Sequence, residues 1–415
     1  MLPSEAARPS PTPYVLVFTG AFLPGSKAGG PVRSLDALTD IPNSPIGFRV
    51  VTADRDLGDD RPYPTVRLSQ WVRLGPRLVW YWPKRDIRGS LSLLSQIRRS
   101  GPSLYYFNSL WSFRFTLLPL ILVQLKVLPR APILIATRGE TLPGALSSKR
   151  IKKRIALPAV TALVNLSDAT LQATSEMESD SLQRMFPRLS VISLPNLFRS
   201  ERDITYRQRQ GTPHLKLVTA SRIHPHKNLK GALRALAKSG RPVHLRVIGE
   251  PEDGAYYEEC RSLAEAMPAK MVVDFVGHLE HSDVKEELEW ADGFISLTKS
   301  ENFGHAIRES LAAGCVPIVS SSTPWSPLIA KMGQHTPNYD DEEVFSQIVT
   351  KIADLTPEDR SALGQQVQRQ YAEWADEGES NRADAVEKIY QLSVSKVVPA
   401  WPTTRKSRRR LLKFK

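Results

Sequence analysis

The chain has 415 residues, of which 41% are hydrophobic and 24% charged, a composition that excludes disordered and fibrous proteins. Its length predicts two domains, and two cysteines, Cys260 and Cys315, exclude a disulfide scaffold and favour a reducing compartment. The N-terminus has no signal-peptide pattern, and the most apolar stretch, 117–128, is too short to span a bilayer. We therefore expect a cytoplasmic protein, with peripheral attachment to the inner face of the membrane as an alternative.

The net charge of +13 favours polyanionic partners. Seven basic residues lie in the tail 405–415 and five in KRIKKR at 149–154, and without these two segments the chain is close to neutral. Because both segments combine basic with apolar residues, they are candidates for contact with an anionic membrane surface; the alternative is a solvated helix face and tail. The sequence contains no recognised nucleic-acid module, so no specific nucleic-acid partner is expected.

Apolar runs typical of strands alternate with helical apolar spacing along most of the chain. The strand-like runs cover residues 14–20, 48–53, 77–82, 103–108, 133–139, 169–174, 190–195, 215–221, 244–250, 271–277, 293–298 and 316–321. Alternation of this kind predicts βαβ units and parallel sheets covered by helices on both faces. The predicted fold class is therefore α/β, with two Rossmann-like, doubly wound domains facing across a cleft and additional C-terminal helices.

The boundaries follow from where this alternation stops and restarts. Residues 1–13 are predicted to be a disordered leader, 14–195 a first domain, the charged segment 196–213 a linker and 214–380 a second domain. A helix at 381–396 that packs back on the first domain and a basic tail at 397–415 complete the division. Ligands of such domains bind at the carboxyl ends of parallel strands, where loops meet helix N-termini.

The stretch SENFGHAIRESLAAGC at 300–315 follows the predicted strand 293–298. A helix is predicted from Gly304 to about Ala313, with Phe303, Ile307 and Leu311 on its buried face and a polar ladder of Glu301, His305 and Glu309 along another edge. The amides at the start of such a helix favour phosphate, and paired carboxylates accept hydrogen bonds from sugar hydroxyls. The pattern therefore predicts a nucleotide-linked sugar as ligand; solvated surface glutamates are the alternative.

Residues 300–325 resemble the glutamate-seven-residues-glutamate signature of retaining, nucleotide-sugar-dependent family 4 (group 1) glycosyltransferases, which have the GT-B fold. The wider chain resembles members of this family that act in bacterial envelope or capsular polysaccharide assembly. The resemblance implies that Glu301 contacts the sugar of the donor substrate and Glu309 its ribose. It also implies an acceptor-binding first domain and a donor-binding second domain. The stretch NFGH, whose residues are expected to bind the donor, comprises Asn302, Phe303, Gly304 and His305. Where the family usually has an aspartate before Thr-Pro-Trp, this chain has Ser321.

Two cations, Arg222 and Lys227, follow the predicted strand 215–221, where they could hold a diphosphate and stabilise it as it leaves. The family has an arginine and a lysine at this spacing, which makes Arg222, Lys227 and Glu301 the predicted catalytic residues. A solvated basic turn is the alternative.

In the first domain, Gly29 and Gly30 precede a helix that starts with Pro31, and the resemblance places this loop beside the phosphates of the donor. Polar residues near the predicted strand ends are expected on the acceptor side of the cleft: Arg33, Asn108, Arg138 and Glu140. All eight histidines lie at residue 214 or later, which excludes a histidine base from the first domain.

The tripeptide Asp54-Arg55-Asp56 matches the Asp-x-Asp metal motif of another transferase fold, and we interpret it as a loop because such a tripeptide is common by chance. No histidine, cysteine and aspartate cluster has structural-zinc spacing. We expect an enzyme without metal or cofactor, with a nucleotide-diphosphate sugar as donor substrate.

The predicted function is transfer of a sugar, with retention of anomeric configuration, to a glycan or lipid-linked acceptor in cell-surface polysaccharide biosynthesis. Two alternatives stay open. One is a nucleotide-sugar epimerase or a sugar phosphorylase on the same fold. The other is a degenerate, non-catalytic protein retained for binding membranes or polyanions.

Overall fold

The computed structural model describes residues 13–41, 44–141, 150–198, 206, 209 and 211–395, and for 150–154, 376–382 and 395 it describes the backbone alone. The chain divides into two compact units. Unit 1 comprises Met1–Thr141, Lys149–Leu194 and Ala383–Lys415, and unit 2 comprises Leu142–Ser148 and Pro195–Arg382.

Unit 1 contains a sheet of eight strands in the order β3-β4-β2-β1-β5-β6-β7-β8. The strands are β1 Tyr14–Phe18, β2 Gly47–Ala53, β3 Trp71–Leu74, β4 Arg77–Trp82, β5 Leu104–Phe107, β6 Ile133–Ala136, β7 Thr170–Ala173 and β8 Val191–Ser193. Neighbouring strands pair in parallel, except that the edge strand β3 is antiparallel to β4. The helices are α1 Gly30–Thr39, α2 Ile87–Ser100, α3 Leu118–Gln124, α4 Arg150–Leu166 and α5 Glu176–Met185, with a π-helical turn at Phe113–Leu117 before α3.

The core of unit 1 reflects the alternation of side chains along its strands. Leu16 and Phe18 of β1 point to the face that packs against α2, α3, α4 and α5, whose core residues include Leu93, Val123 and Val164. All five residues of β1 are buried, as expected for a parallel strand covered on both faces. Consecutive parallel strands need crossover helices, and this is why the helical segments lie between the strand runs.

Unit 2 contains a fully parallel sheet of five strands in the order β11-β10-β9-β12-β13. Its strands are β9 Leu215–Ala220, β10 Val243–Ile248, β11 Met271–Gly277, β12 Gly293–Ser296 and β13 Val316–Val319. Its helices are α6 Leu229–Ser239, α7 Gly254–Glu265, α8 His281–Trp290, α9 His305–Ala312, α10 Ser326–Lys331, α11 Glu342–Ala353 and the long α12 Pro357–Ser395, whose residues from Ala383 onward belong to unit 1.

The predicted fold class, two doubly wound Rossmann-like domains with additional C-terminal helices, is confirmed, and strand β3 adds an antiparallel edge that was not predicted. Of the predicted leader 1–13, only residue 13 is among the described residues, and the whole of the predicted tail 397–415 lies outside them. The side chains of the basic segment 149–154 and most of the predicted linker, residues 199–205, 207–208 and 210, lie outside them too. Among the described residues, no helix combines the length and apolar character needed to cross a bilayer.

Candidate functional site

A pocket lies at the carboxyl end of the unit 2 sheet, between the loop that follows β9 and the end of β12. The space it encloses, counted together with the open solvent at its mouth, is about 290 Å³. The residues that line it are Thr219, Ser221, Arg222, Ile223, Lys227, Leu229, Ala232, Val247, Ile295, Ser296 and Leu297. The two cations predicted from the sequence therefore line one pocket, at the edge of the sheet where ligands of doubly wound domains bind.

Lys227 and Glu301 form a direct ion pair across this region. The distance from Lys227 Nζ to Glu301 Oε2 is 2.5 Å, and each side chain is about one fifth exposed, at 19% and 20%. The lysine comes from the loop after β9, and the glutamate comes from the loop between β12 and α9. Partial burial strengthens the attraction relative to a surface pair, while the remaining exposure keeps both groups accessible to a ligand.

His226 joins the same two loops. Its carbonyl accepts a hydrogen bond from the Lys299 amide at 3.0 Å. Its Nε2 lies 3.1 Å from the Ser300 carbonyl and 3.0 Å from the Ser300 hydroxyl, so Nε2 carries the proton donated to the carbonyl. Burial, followed by the positive charge of Lys227, lowers the pKa of His226 below its ordinary value. The neutral imidazole of His226 therefore connects the loop that carries Lys227 to the loop that carries Glu301.

Arg222 lies at the mouth of the pocket and is more exposed. Its side chain is 59% exposed, and its Nη1 donates to Glu252 Oε2 at 2.7 Å. An ion pair this exposed contributes little to stability, so a phosphate could compete with Glu252 for the guanidinium.

The loop before α9 differs from the predicted arrangement. Helix α9 begins at His305, and its N-cap Gly304 has a φ of 77°, which turns the chain out of helical geometry. Glu301 lies before this turn, with its amide bonded to the Ser322 carbonyl. The predicted ladder of Glu301, His305 and Glu309 along one helix edge is therefore wrong, because only the last two belong to the helix.

Glu309 is buried rather than lining an open groove. Its side chain is 7% exposed, and its Oε1 lies 3.7 Å from Nη2 of Arg308, which is also buried. Arg308 donates in turn to the Tyr371 hydroxyl at 3.2 Å. The buried cation compensates part of the cost of burying the carboxylate.

Aromatic packing fixes the turn that leads into α9. The Phe303 ring lies 4.5 Å from the His305 ring and 5.2 Å from the Trp325 ring, and the Trp325 indole N–H donates to the Phe303 carbonyl. A Cβ on Gly304 would lie 2.9 Å from Glu301 Cγ, so glycine is required by both space and backbone conformation. Asn302, beside Phe303, is partly exposed. Phe303 thus supports the loop and only partly joins the predicted buried face of the helix.

The glycine loop of unit 1 is held by an aspartate that the sequence analysis assigned no role. The Asp56 carboxylate accepts hydrogen bonds from the amides of Ser26 at 2.7 Å and Lys27 at 3.1 Å. Gly29 follows with a φ of 62°, and the position of its absent Cβ has nothing within 4 Å. Gly30 starts α1, and Arg33 on its first turn is partly exposed.

Of residues 53–56, which were interpreted as a loop, Ala53 ends strand β2, and the two aspartates follow in the loop after it. Asp54 pairs with the neighbouring Arg55, at 3.0 Å from Arg55 Nε. Asp56 is committed to backbone amides, including that of Leu57 at 2.7 Å. Within the described ranges of the chain, no group of three or more histidine, cysteine, aspartate or glutamate residues is arranged to hold a metal ion.

Three of the four predicted acceptor-side residues of unit 1 make hydrogen bonds in the segments that follow β5 and β6. Arg138 donates from Nε to Asn108 Oδ1 at 2.7 Å and from Nη2 to the Tyr106 hydroxyl at 2.9 Å. Glu140 accepts hydrogen bonds from the Ser109 hydroxyl at 2.8 Å and the Leu110 amide at 2.6 Å. The structure thus brings Asn108, Arg138 and Glu140 together at the carboxyl ends of β5 and β6, while Arg33 lies on α1.

A buried glutamate of α5 that the sequence analysis missed supports the segment that carries Arg138. Glu178 is completely buried and accepts hydrogen bonds from the Thr137 hydroxyl and the Gly139 amide, which flank Arg138. It also accepts from the amide of Thr174 at 2.8 Å and from its hydroxyl at 2.6 Å. Arg138 has a positive φ of 52°, and these contacts hold the backbone on both sides of it.

Comparison with known proteins gives a family match for the second unit. Residues 204–370 match the sequence model of the family Glycosyl transferases group 1. A stretch of 112 residues is 33% identical to the alpha-monoglucosyldiacylglycerol synthase of Streptococcus pneumoniae, covering 26% of this chain. The match spans only about a quarter, 24%, of that relative's length.

Solved structures match over almost the whole chain. Anabaena HepE in complex with UDP-glucose is similar with a TM-score of 0.64 and 14% identity, over 91% of this chain and 99% of that one. Sucrose-phosphate synthase from Thermosynechococcus elongatus matches with a TM-score of 0.65 and 15% identity, over 93% and 100%. At these identities the similarity shows the fold. The chain therefore has the GT-B fold, and its residues 204–370 match the Glycosyl transferases group 1 family.

Proposed function

We propose that this protein is a retaining glycosyltransferase that moves a sugar from a nucleotide-diphosphate donor to a hydroxyl of a glycan or lipid-linked acceptor. The ion pair of Lys227 with Glu301 beside the unit 2 pocket carries the proposal. The pair brings a cation and a carboxylate within one hydrogen bond of each other, which supports a role for the cation with a phosphate and for the carboxylate with sugar hydroxyls. The group 1 match of residues 204–370, which contain both residues, supports the same activity.

In the reaction, the acceptor oxygen forms a bond to the anomeric carbon while the bond from that carbon to the diphosphate oxygen breaks. The hydroxyl proton of the acceptor leaves with the diphosphate, which gains negative charge as it departs. Lys227 and Arg222, which both line the pocket, stabilise that charge after the phosphate replaces their carboxylate partners Glu301 and Glu252. Glu301, released from Lys227 by the phosphate, accepts hydrogen bonds from the sugar.

Helix α9 supplies a further contribution to phosphate binding. Gly304 caps the helix without a capping side chain, so the positive end of the helix dipole faces the loop that carries Glu301. Glu309 is proposed to hold the ribose. Its low exposure means that the ribose would reach it at the edge of the buried Arg308 and Glu309 pair.

The acceptor side is assigned to unit 1 through Arg33, Asn108, Arg138 and Glu140, with Gly29 and Gly30 beside the donor phosphates. The proposal includes a metal-independent reaction and a place in cell-surface polysaccharide biosynthesis. Solved relatives of this fold include HepE in complex with UDP-glucose, which supports a nucleotide-sugar donor.

The test is donor binding and turnover by the full chain. A panel of nucleotide-diphosphate sugars is screened by thermal shift, since a ligand at 100 times its Kd stabilises the folded state by about 2.7 kcal/mol. The donor found is incubated with candidate acceptors in EDTA, and the anomeric configuration of the product is read by NMR. Retention in EDTA supports the proposal, whereas an inverted product or strict metal dependence contradicts that part of it.

Two variants separate the site from general charge effects. Lys227→Met is expected to weaken donor binding by at least about tenfold, the loss of one charge-assisted hydrogen bond. Lys230→Met makes the same change three residues along the chain, where the lysine pairs with Glu259 and does not line the pocket. Equal effects of the two variants would refute the assigned site.

The alternatives give different products. An epimerase would isomerise the donor without an acceptor, and a phosphorylase would cleave its sugar only with inorganic phosphate. A degenerate binding protein would show no turnover, and Glu301→Gln would then change nothing. Loss of turnover in Glu301→Gln, with unfolding behaviour unchanged, would exclude that reading.

A further inference from the structure

The distribution of charge along unit 1 is more uneven than the two basic segments suggest. Between residues 87 and 167 the sequence contains twelve lysines and arginines but a single acidic residue, Glu140, although the whole chain has 43 acidic residues. The near neutrality of the chain outside 149–154 and 405–415 therefore conceals a second basic region, because acidic residues elsewhere cancel the charge of 87–138 in the overall sum.

The described helices of this stretch lie in one layer of unit 1. Helices α2, α3 and α4 and the π-helical turn at 113–117 contribute Leu93, Phe115, Leu120 and Val160 to a single core cluster with one face of the strands. The strand residues in that cluster alternate, as Tyr105 and Phe107 do on β5, so these helices cover the same face of the sheet.

The outer surface of this layer carries large apolar side chains in water. Ile87 and Leu91 of α2 are 75% and 62% exposed, and Phe113 at the π-helical turn is 65% exposed. The exposed large apolar residues in or directly after the elements of the layer are Ile87, Leu91, Phe113, Leu125, Ile155 and Leu166. Single exposed apolar residues need no explanation, but adjacent ones are typical of interaction surfaces, and Ile87 and Leu91 lie one turn apart on α2.

The two ends that carry Ile87 and Phe113 are joined to each other. The Arg114 guanidinium lies over the Trp82 ring at 4.3 Å and donates to the Trp82 carbonyl at 2.8 Å. The Trp82 indole donates to the Ser90 hydroxyl on the first turn of α2 at 2.8 Å. The start of α2, which carries Ile87, and the start of the π-helical turn, which carries Phe113, are therefore linked through Trp82 at the carboxyl edge of the sheet.

We propose that this surface, formed by α2 and the π-helical turn at 113–117, docks on an anionic phospholipid bilayer. The exposed residues Arg88, Arg98 and Arg99 of α2 would meet the lipid phosphates, while Ile87, Leu91 and Phe113 would enter the boundary between headgroups and acyl chains. Helix α2 contains three arginines and no acidic residue.

Charge decides between a bilayer and a second copy of the chain as the occupant. A self-complementary dimer would bring the arginines of two α2 helices together without acidic partners on this helix, and like charges in an interface are unfavourable. An anionic lipid surface supplies the opposite charge together with an apolar phase for the exposed side chains. Docking of this surface on a bilayer does not require the proposed enzymatic activity.

The experiment places a fluorescent probe on the surface in the full chain. Cys260 and Cys315 are both buried, so Leu91→Cys can be labelled selectively with an environment-sensitive fluorophore, and Val272→Cys on β11 of unit 2 is the control. Each protein is mixed with vesicles of equal parts phosphatidylglycerol and phosphatidylcholine, or of phosphatidylcholine alone. We expect a blue shift at position 91 with the anionic vesicles only, and none at position 272.

A charge variant provides the second measurement. The triple variant Arg88→Gln, Arg98→Gln and Arg99→Gln should lower affinity for the anionic vesicles on the order of 100-fold in co-sedimentation. The control on unit 2 neutralises three basic residues that are about half exposed: Arg234→Gln, Lys238→Gln and Arg261→Gln. It should bind vesicles as the unaltered protein does.

Four results would overturn the inference. These are no shift at position 91, an equal shift on phosphatidylcholine alone, a shift without vesicles that follows protein concentration, or unchanged vesicle affinity in the triple variant. The third would identify the surface as an interface between copies. The fourth would assign vesicle binding to another part of the chain.

Discussion

Replacing Glu178 with alanine tests whether a buried carboxylate holds the loop that carries Arg138. Glu178 is completely buried, and its two oxygens accept four hydrogen bonds, from the Thr137 hydroxyl, the Gly139 amide, and the amide and hydroxyl of Thr174. Two of these donors belong to the segment after β6 and two to the segment after β7. The carboxylate therefore connects two neighbouring strand ends.

The magnitude follows from what the substitution leaves behind. Alanine removes the acceptor for four buried donors, each of which costs about 1–3 kcal/mol when left without a partner. The gain from no longer burying a carboxylate offsets part of this loss. We expect a net decrease of about 3–5 kcal/mol in the free energy of unfolding of unit 1, in the range measured for broken buried polar networks.

The assay combines urea unfolding with hydrogen exchange at the amides of Gly139 and Thr174, which donate to Glu178. Exchange at these amides should accelerate before the rest of unit 1 opens. Glu178→Gln keeps one acceptor oxygen and should lose roughly half as much stability. Glu176→Ala makes the same change as Glu178→Ala at an exposed position of α5 and should lose less than about 1 kcal/mol. If Glu178→Ala and Glu176→Ala behave alike, the carboxylate does not hold the loop.

Two further predictions concern the pocket of unit 2. Gly249→Ala would place a Cβ 2.0 Å from the Ser221 carbonyl oxygen, at a backbone φ of 136°. We therefore expect urea unfolding to show a loss of at least about 1–3 kcal/mol in the free energy of unfolding. The control Gly254→Ala, whose new Cβ would have nothing within 4 Å, should leave that free energy unchanged. Burial lowers the pKa of His226 in the folded state below its value in the unfolded chain. The folded state therefore has its full stability above about pH 6.5, and it loses stability as the pH falls toward the folded-state pKa, because the unfolded chain binds the proton more readily. Unfolding free energy should therefore drop between pH 7 and pH 5 in the unaltered protein and drop less in His226→Gln, and equal pH profiles would contradict this.

Much of the architecture could be predicted because the alternation of strand and helix patterns is visible in single segments. Strand β3 could not be, since its four residues form a partly exposed antiparallel edge without a clear apolar period. The start of α9 was placed correctly near Gly304, but extending the helical period back to Glu301 ignored the left-handed backbone of that glycine. The spacing of the side chains continues through Gly304 in the sequence, but the helix does not, because the backbone of Gly304 is not helical.

The supporting carboxylates were missed for a different reason. Ser175 and Glu178 match the capping-box spacing, and the Ser175 hydroxyl does accept from the Glu178 amide at 3.2 Å. That local signal gives no indication that the Glu178 side chain binds residues 137–139, about forty positions earlier. Asp56 is a similar case, because its partners at residues 26–27 lie thirty positions away. Sequence spacing identifies the cap but not the distant loop that shares the carboxylate.

The contacts of each carboxylate separate those that hold loops from those that can meet a ligand. Glu178 and Asp56 accept several hydrogen bonds, including backbone amides that cannot leave without opening the loop. Glu301 instead bonds the flexible side chain of Lys227, which a phosphate can attract away without moving the backbone. If Glu301 acts on a substrate, it becomes available when Lys227 exchanges this carboxylate for a phosphate of the donor. Because Lys227 would contact the phosphate and also controls Glu301, Lys227→Met should alter both the phosphate contacts and the sugar contacts of the donor.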